Sequence, residues 1–152
     1  MLFRSRSLFQ LLAVTAFVGW SVGAQAQETP IQPPAGVRIV EAKEVQDLQA
    51  KGAILVDTRR ASEYGEGSIK GAISVPYDPE KSAKAADFDA SQDKFDLSKL
   101  ADKDKNIVVF CNSGTCWKSY KAAVVLAKNG YKQVFWYRNG MPDWKARKLP
   151  IE

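Results

Sequence analysis

No histidine occurs anywhere in the 152 residues. That absence removes every mechanism built on an imidazole base, Cys-His and Ser-His pairs included, and takes away the commonest metal ligand. Cysteine is almost as scarce: Cys111 and Cys116 are the only two, and two thiolates without imidazole make a weak metal site. Neither lies at the end of the apolar stretch near the start of the chain, so a lipid anchor there has no support. No block of like charge exists either. The 22 Lys and Arg are set against 17 Asp and Glu, and many alternate with them, as in Asp102-Lys103-Asp104-Lys105, the pattern of a solvated face. The formal charge of +5 becomes +3 once Arg4 and Arg6 are set aside, which is too mild to argue for nucleic acid. No internal repeat is evident.

The two arginines belong to a separable segment. Residues 1–26 combine a basic start, an apolar stretch from about Leu8 to Val22 and the small-residue pattern Ala24-Gln25-Ala26, which together read as a secretory signal cleaved after Ala26. An uncleaved membrane anchor is the competing reading, and the Ala-x-Ala site and modest apolar length fit it less well. An exported chain works in an oxidising space, where two nearby cysteines can rest as a disulfide. A bacterial periplasm is the expected compartment, with no stable membrane insertion after cleavage. The remaining 126 residues suffice for one domain with a single core. Residues 27–36 contain three prolines and read as an extended lead-in, and the domain is expected over 37–152.

Within that domain the apolar runs are unalternating. Ala53–Val56, Ile107–Phe110 and Gln133–Tyr137 suit strands covered on both faces, as in a parallel sheet flanked by helices, and Val37–Val40 is a short strand candidate. Helical spacing appears over 42–50, with Ala42, Val45 and Leu48 on one face and Gly52 as a stop. It returns over 117–129, through Ala122, Val125, Leu126 and Asn129, with Gly130 as the stop. Strand, helix, strand implies a right-handed parallel crossover. The polar stretch 78–105 is only weakly periodic; it accommodates a short helix near 97–101 or a surface excursion shaping the rim of a site.

Both cysteines lie in Cys111-Asn112-Ser113-Gly114-Thr115-Cys116-Trp117, at a strand-to-helix turn. A thiolate there faces loop N–H groups and the positive end of a helix, and both favour the ionised sulfur. Gly114 suits a backbone that turns tightly.

Several ordered motifs resemble the rhodanese family of sulfurtransferases, over nearly all of the processed chain. Leu55-Val56-Asp57-Thr58-Arg59 with Glu63-Tyr64 looks like the opening strand and its Asp-x-Arg turn. Gly67-Ser68-Ile69-Lys70-Gly71-Ala72-Ile73 and Pro76 look like the Gly-His-Ile-x-Gly-Ala segment, with Ser68 where histidine is usual. Val109-Phe110-Cys111, Gly114 and Gly130-Tyr131 resemble the active-site strand, loop and helix exit, and Asn139-Gly140, Trp144 and Leu149-Pro150 the closing elements. The resemblance implies an α/β, doubly wound domain with a mainly parallel central sheet flanked by helices. It also implies that Cys111 takes sulfur from a small donor anion of the thiosulfate type, holds it as a persulfide and passes it to a thiol or other thiophilic acceptor. No metal and no organic cofactor are implied. Asn112, Ser113, Gly114, Thr115 and Cys116 would cradle the anionic persulfide with their N–H groups.

The loop also departs from that pattern. Family loops commonly end in an Arg-Ser pair, where this chain has Cys116-Trp117 or, aligned through the helix, Lys118-Ser119. The second alignment makes the loop about two residues longer and its cradle wider. The Cys-Trp ending is similar to that of rhodanese-like proteins associated with pyrroloquinoline-quinone-dependent catabolism. Cys116 is a candidate resolving thiol, able to release the outer sulfur and close a disulfide with Cys111. That reading makes the protein a thiol-disulfide or persulfide reductase; a structural disulfide and a non-catalytic binding module are the plainer alternatives. Lys118 and Lys121 either draw in an anionic donor or form a solvated helix face. Trp117 either walls the sulfur pocket or packs the helix on the sheet. Asp57 and Arg59 are expected to form a buried structural pair. Dual-specificity phosphatases of the Cdc type share this fold, but their loop arginine clamps phosphate, a role lysine fills poorly, and this loop has no arginine. Expressed in a Gram-negative host, the full chain is expected to yield a periplasmic form beginning at Gln27, checked by intact mass; retention of residues 1–26 would favour the anchor.

Overall fold

A computed structural model describes residues 28–79 and 92–152; the expected signal and much of the 78–105 excursion lie outside them. Five strands form one parallel sheet in the order β1-β5-β4-β2-β3, comprising β1 (Val37–Ile39), β2 (Ile54–Asp57), β3 (Ile73–Ser74), β4 (Asn106–Phe110) and β5 (Gln133–Tyr137). The helices are α1 (Ala42–Ala50), α2 (Ala61–Gly65), α3 (Trp117–Lys128) and α4 (Gly140–Ala146). A 3₁₀ turn covers Leu97–Leu100, capped by Asp96, whose side chain accepts the Ser98 N–H.

Side chains on successive strand residues point to opposite faces, and here both faces are covered. Ile107, Val109, Val134 and Trp136 turn towards α3, meeting Ala122, Ala123 and Leu126. Val108, Phe110, Phe135 and Tyr137 turn the other way, onto Val45 and Leu48 of α1 and Met141 and Trp144 of α4. Double coverage is why the strands read as continuous apolar runs. β4 is central, paired residue by residue with β2 (Val56↔Val109, Asp57↔Phe110) and with β5 (Val109↔Trp136, Phe110↔Tyr137). The C-terminal ends of three neighbouring strands therefore finish at one level. In open parallel sheets that edge is where ligands bind.

The turn after β2 is locked by charge. The Arg59 guanidinium forks onto Asp57, with Nη2 2.6 Å from Oδ2, and also donates to the Gly67 carbonyl at 2.8 Å. Ser68 Oγ donates to the same Asp57 oxygen at 2.7 Å. Asp57 and Arg59 are 0% and 5% exposed, the buried structural pair expected from the sequence, with Ser68 completing it. Removing one partner of such a pair strands the other charge in the interior. Asp57→Ala is therefore expected to lower stability by about 3–5 kcal/mol, measured by urea unfolding; a loss below about 1 kcal/mol would show that the pair is not an anchor.

Candidate functional site

Six residues, 111–116, bridge the end of β4 and the start of α3. Cys111 and Cys116 are joined as a disulfide across this bridge, with Cα atoms 6.2 Å apart, inside the span such a bond requires. Both sulfurs are covered, Cys111 being 2% and Cys116 8% exposed. Cys116 is also the N-cap residue of α3, a twelve-residue helix whose first-turn N–H groups favour negative charge at that end.

The end of β4 beneath the loop is pinned by three hydrogen bonds from two neighbours. The Phe110 carbonyl accepts both the Thr58 N–H, at 3.1 Å, and the Thr58 hydroxyl, at 2.8 Å. The Cys111 carbonyl accepts the Met141 N–H at 2.9 Å. Gly140 permits that approach: its φ is +58°, and a Cβ there would overlap the Cys111 carbonyl oxygen. Only glycine combines that backbone conformation with such closeness. α4 is steadied in turn by Tyr137, whose hydroxyl donates to Asp143 Oδ2 at 2.6 Å. Burial, with the neighbouring Asp143 carboxylate, pushes the Tyr137 phenol well above its ordinary range.

The loop itself is fixed by side chains. Asn112 Nδ2 donates to Glu63 Oε1 of α2 at 2.8 Å. Burial raises the Glu63 carboxyl, but hydrogen bonds from Asn112 and Arg60 and the Arg60 charge outweigh it, leaving the pKa below the ordinary 4.5. Ser113 Oγ lies 2.9 Å from Thr115 Oγ1 and accepts the Thr115 N–H at 3.3 Å, and its carbonyl accepts the Cys116 N–H at 3.0 Å. The cradle is consequently narrower than the sequence suggests. Thr115 and Cys116 spend their N–H groups on Ser113, whereas those of Asn112, Ser113 and Gly114 have no acceptor among the described residues.

Three placements sharpen the sequence reading. Lys118 and Lys121 are each 1% exposed, so the solvated helix face is ruled out; both lie buried in the first turns of α3. Trp117, 4% exposed, packs edge-on to Tyr120 with ring centroids 5.2 Å apart, and Tyr120 does the same to Trp136 at 5.4 Å. It therefore serves to seat α3 on the sheet. The lead-in is not peripheral: Thr29 is 2% exposed and donates its N–H to the Gly114 carbonyl at 2.8 Å. Arg138, just beyond β5, donates to Thr29 and packs against Gly114. Neither Thr29 nor Arg138 is visible as a site residue from the sequence, because neither lies in a periodic segment or a motif. Two surface grooves of about 460 Å³, one beside Tyr120 and Tyr131 and one beside Gln49 and Trp144, lie away from the loop. Among the described residues no acid-and-thiol cluster could hold a metal ion, and no helix is long and apolar enough to cross a membrane.

A five-stranded parallel sheet with a cysteine opening the loop after its central strand defines a rhodanese-like domain, and comparison with known proteins gives the same class. The rhodanese-like domain profile matches residues 41–147, so the chain belongs to the rhodanese-like family. It is 30% identical over 106 residues to the thiosulfate sulfurtransferase GlpE of Haemophilus influenzae, covering 70% of this chain and 86% of that one. It is also 34% identical over 103 residues to the tRNA uridine(34) hydroxylase of Yersinia enterocolitica, covering 65% of this chain but 27% of that protein. The family thus includes members named for different reactions. Among solved structures, a Bacillus halodurans protein superposes with a TM-score of 0.58 at 25% identity, covering 76% of each chain.

The Glu63 carboxylate generates a prediction about acid. A folded-state pKa below the ordinary 4.5 stabilises the fold above that pH, and the contribution disappears as the pH falls through the folded value. Glu63→Gln is expected to flatten this acid limb in pH-dependent urea midpoints. An unchanged limb would mean that Glu63 does not hold Asn112 through its charge.

Proposed function

We propose that the protein is an exported, periplasmic sulfurtransferase that carries sulfane sulfur as a persulfide on Cys111. The observation that carries this reading is the position of Cys111, the residue directly after the central strand of a rhodanese-like sheet and before the N-terminus of α3. Attack of the Cys111 thiolate on the outer sulfur of thiosulfate forms the Cys–S–S⁻ bond and expels sulfite with the S–S bonding pair. An acceptor thiolate then takes that outer sulfur and returns Cys111 as thiolate. The donors that hold the persulfide charge are the N–H groups of Asn112, Ser113 and Gly114, backed by the α3 dipole.

The disulfide favours a second reading of the same site. A protonated Cys111 persulfide and the Cys116 thiol can close the Cys111–Cys116 bond and release hydrogen sulfide, with both protons leaving in the product. Two electrons and two protons from an external dithiol then restore the pair. The protein acts on this route as a persulfide or thiol-disulfide reductase. In either case sulfur uptake begins from the reduced protein, because in the disulfide the Cys111 sulfur is already bonded.

Intact mass of the processed protein before and after thiosulfate, with Cys111→Ser and Cys116→Ser alongside, separates these routes. Transfer predicts no uptake by the oxidised protein, a stable gain of one sulfur atom after reduction, and loss of that gain in Cys111→Ser alone. The reductase route predicts sulfide release with return of the two-proton mass deficit, and a persulfide that accumulates only in Cys116→Ser. No sulfur gain and no redox change with any donor would overturn both.

A further inference from the structure

Arg138 occupies the position after Tyr137, and Tyr137 is the register partner of Phe110. Cys111 and Arg138 are thus the first residues past the ends of two adjacent parallel strands. Both side chains meet the loop that leads into α3, Cys111 through its bond to Cys116, the N-cap of that helix, and Arg138 through its contact with Gly114. The Arg138 guanidinium lies against the loop: a Cβ on Gly114 would be 2.6 Å from Cζ. Its Nε donates to Thr29 Oγ1 at 3.1 Å and its Nη2 to the Thr29 carbonyl at 3.0 Å. Thr29 closes the circuit, donating its hydroxyl and its N–H to the Gly114 carbonyl at 2.6 and 2.8 Å. The side chain is 18% exposed.

We propose that Arg138 is a positioning residue of this site, held over the cysteine loop by Thr29, and that its charge favours the anionic, reduced form of the cysteine pair over the disulfide. The inference rests on Cys111 and Cys116 being the working pair. A cation beside a thiolate stabilises the reduced state and makes the disulfide more oxidising. Other charged groups lie near the loop as well: Glu28, 73% exposed and 3.5 Å from Nη2, and Glu63 through Asn112; Lys118 and Lys121 are buried in the first turns of α3, which follows the loop. Glu28 opposes Arg138 from solvent, where screening is strong. Arg138 thereby supplies from β5 the arginine that the loop sequence lacks.

Equilibration of the disulfide with glutathione, which converts two glutathione thiols to their disulfide for each Cys111–Cys116 bond reduced, tests the proposal. Arg138→Gln is expected to move this equilibrium about tenfold towards the disulfide, about 30 mV for a two-electron couple. It should also raise the titration midpoint of the Cys111 thiol, followed by thiolate absorbance. Arg138→Lys should recover most of both effects. Gly114→Ala, which displaces the guanidinium without removing its charge, should shift both in the same direction as Arg138→Gln and keeps the test available if the glutamine variant does not fold. An unchanged equilibrium in folded variants, or a lysine variant indistinguishable from the glutamine one, would overturn the role of the charge. Wild-type protein that takes up no sulfur while these shifts persist would defeat the transfer reading and leave this one standing.

Discussion

Two consecutive carbonyl groups, those of Phe110 and Cys111, mark the point at which the sheet stops and the reactive loop begins. Each is captured by a different neighbour, the first by Thr58 after β2 and the second by Met141 at the start of α4. Without both anchors the end of β4 would be free to fray, and no arrangement of loop side chains could hold one geometry. The Asp57–Arg59–Ser68 cluster stiffens the turn on one side of this junction. Gly140 lets α4 approach it from another. The site is therefore a product of the sheet's edge, and the loop inherits its precision from elements on which it does not lie.

Much of this was legible in the sequence because burial on both faces leaves a strong, local signal. Ile107–Phe110 and Val134–Tyr137 are uninterrupted apolar runs, and Ala42, Val45 and Leu48 recur at helical spacing, so β4, β5 and α1 were readable from local pattern alone. The two-residue β3 and five-residue α2 are too short for a period to show. α4 is obscured by Gly140 and by Pro142 in its first turn, a position proline tolerates in helices but also shares with turns.

The candidate site was legible only in part, for a different reason. Cys111, Asn112 and Gly114 belong to one short segment whose order carries the resemblance. Thr29 and Arg138 meet across 109 residues of chain, and a contact of that separation leaves no trace in local pattern. The three-proline segment reads as an extended lead-in outside the domain, although extension does not prevent Thr29 from being buried against the loop. Lys118 and Lys121 misled in the opposite sense. A cation on a helix is ordinarily read as surface, and only the packing around the first turns of α3 shows both stems inside.

Thr29 also fixes where the chain enters the domain. A group fused to the processed amino end would be tethered a few residues from the Thr29 hydrogen bonds to the cysteine loop. Short flexible tethers hold attached groups at millimolar effective concentration. A fusion partner, an affinity tag or a thiol placed at the amino end would therefore compete with freely diffusing reactants at the loop, favouring contacts too weak to persist between separate molecules.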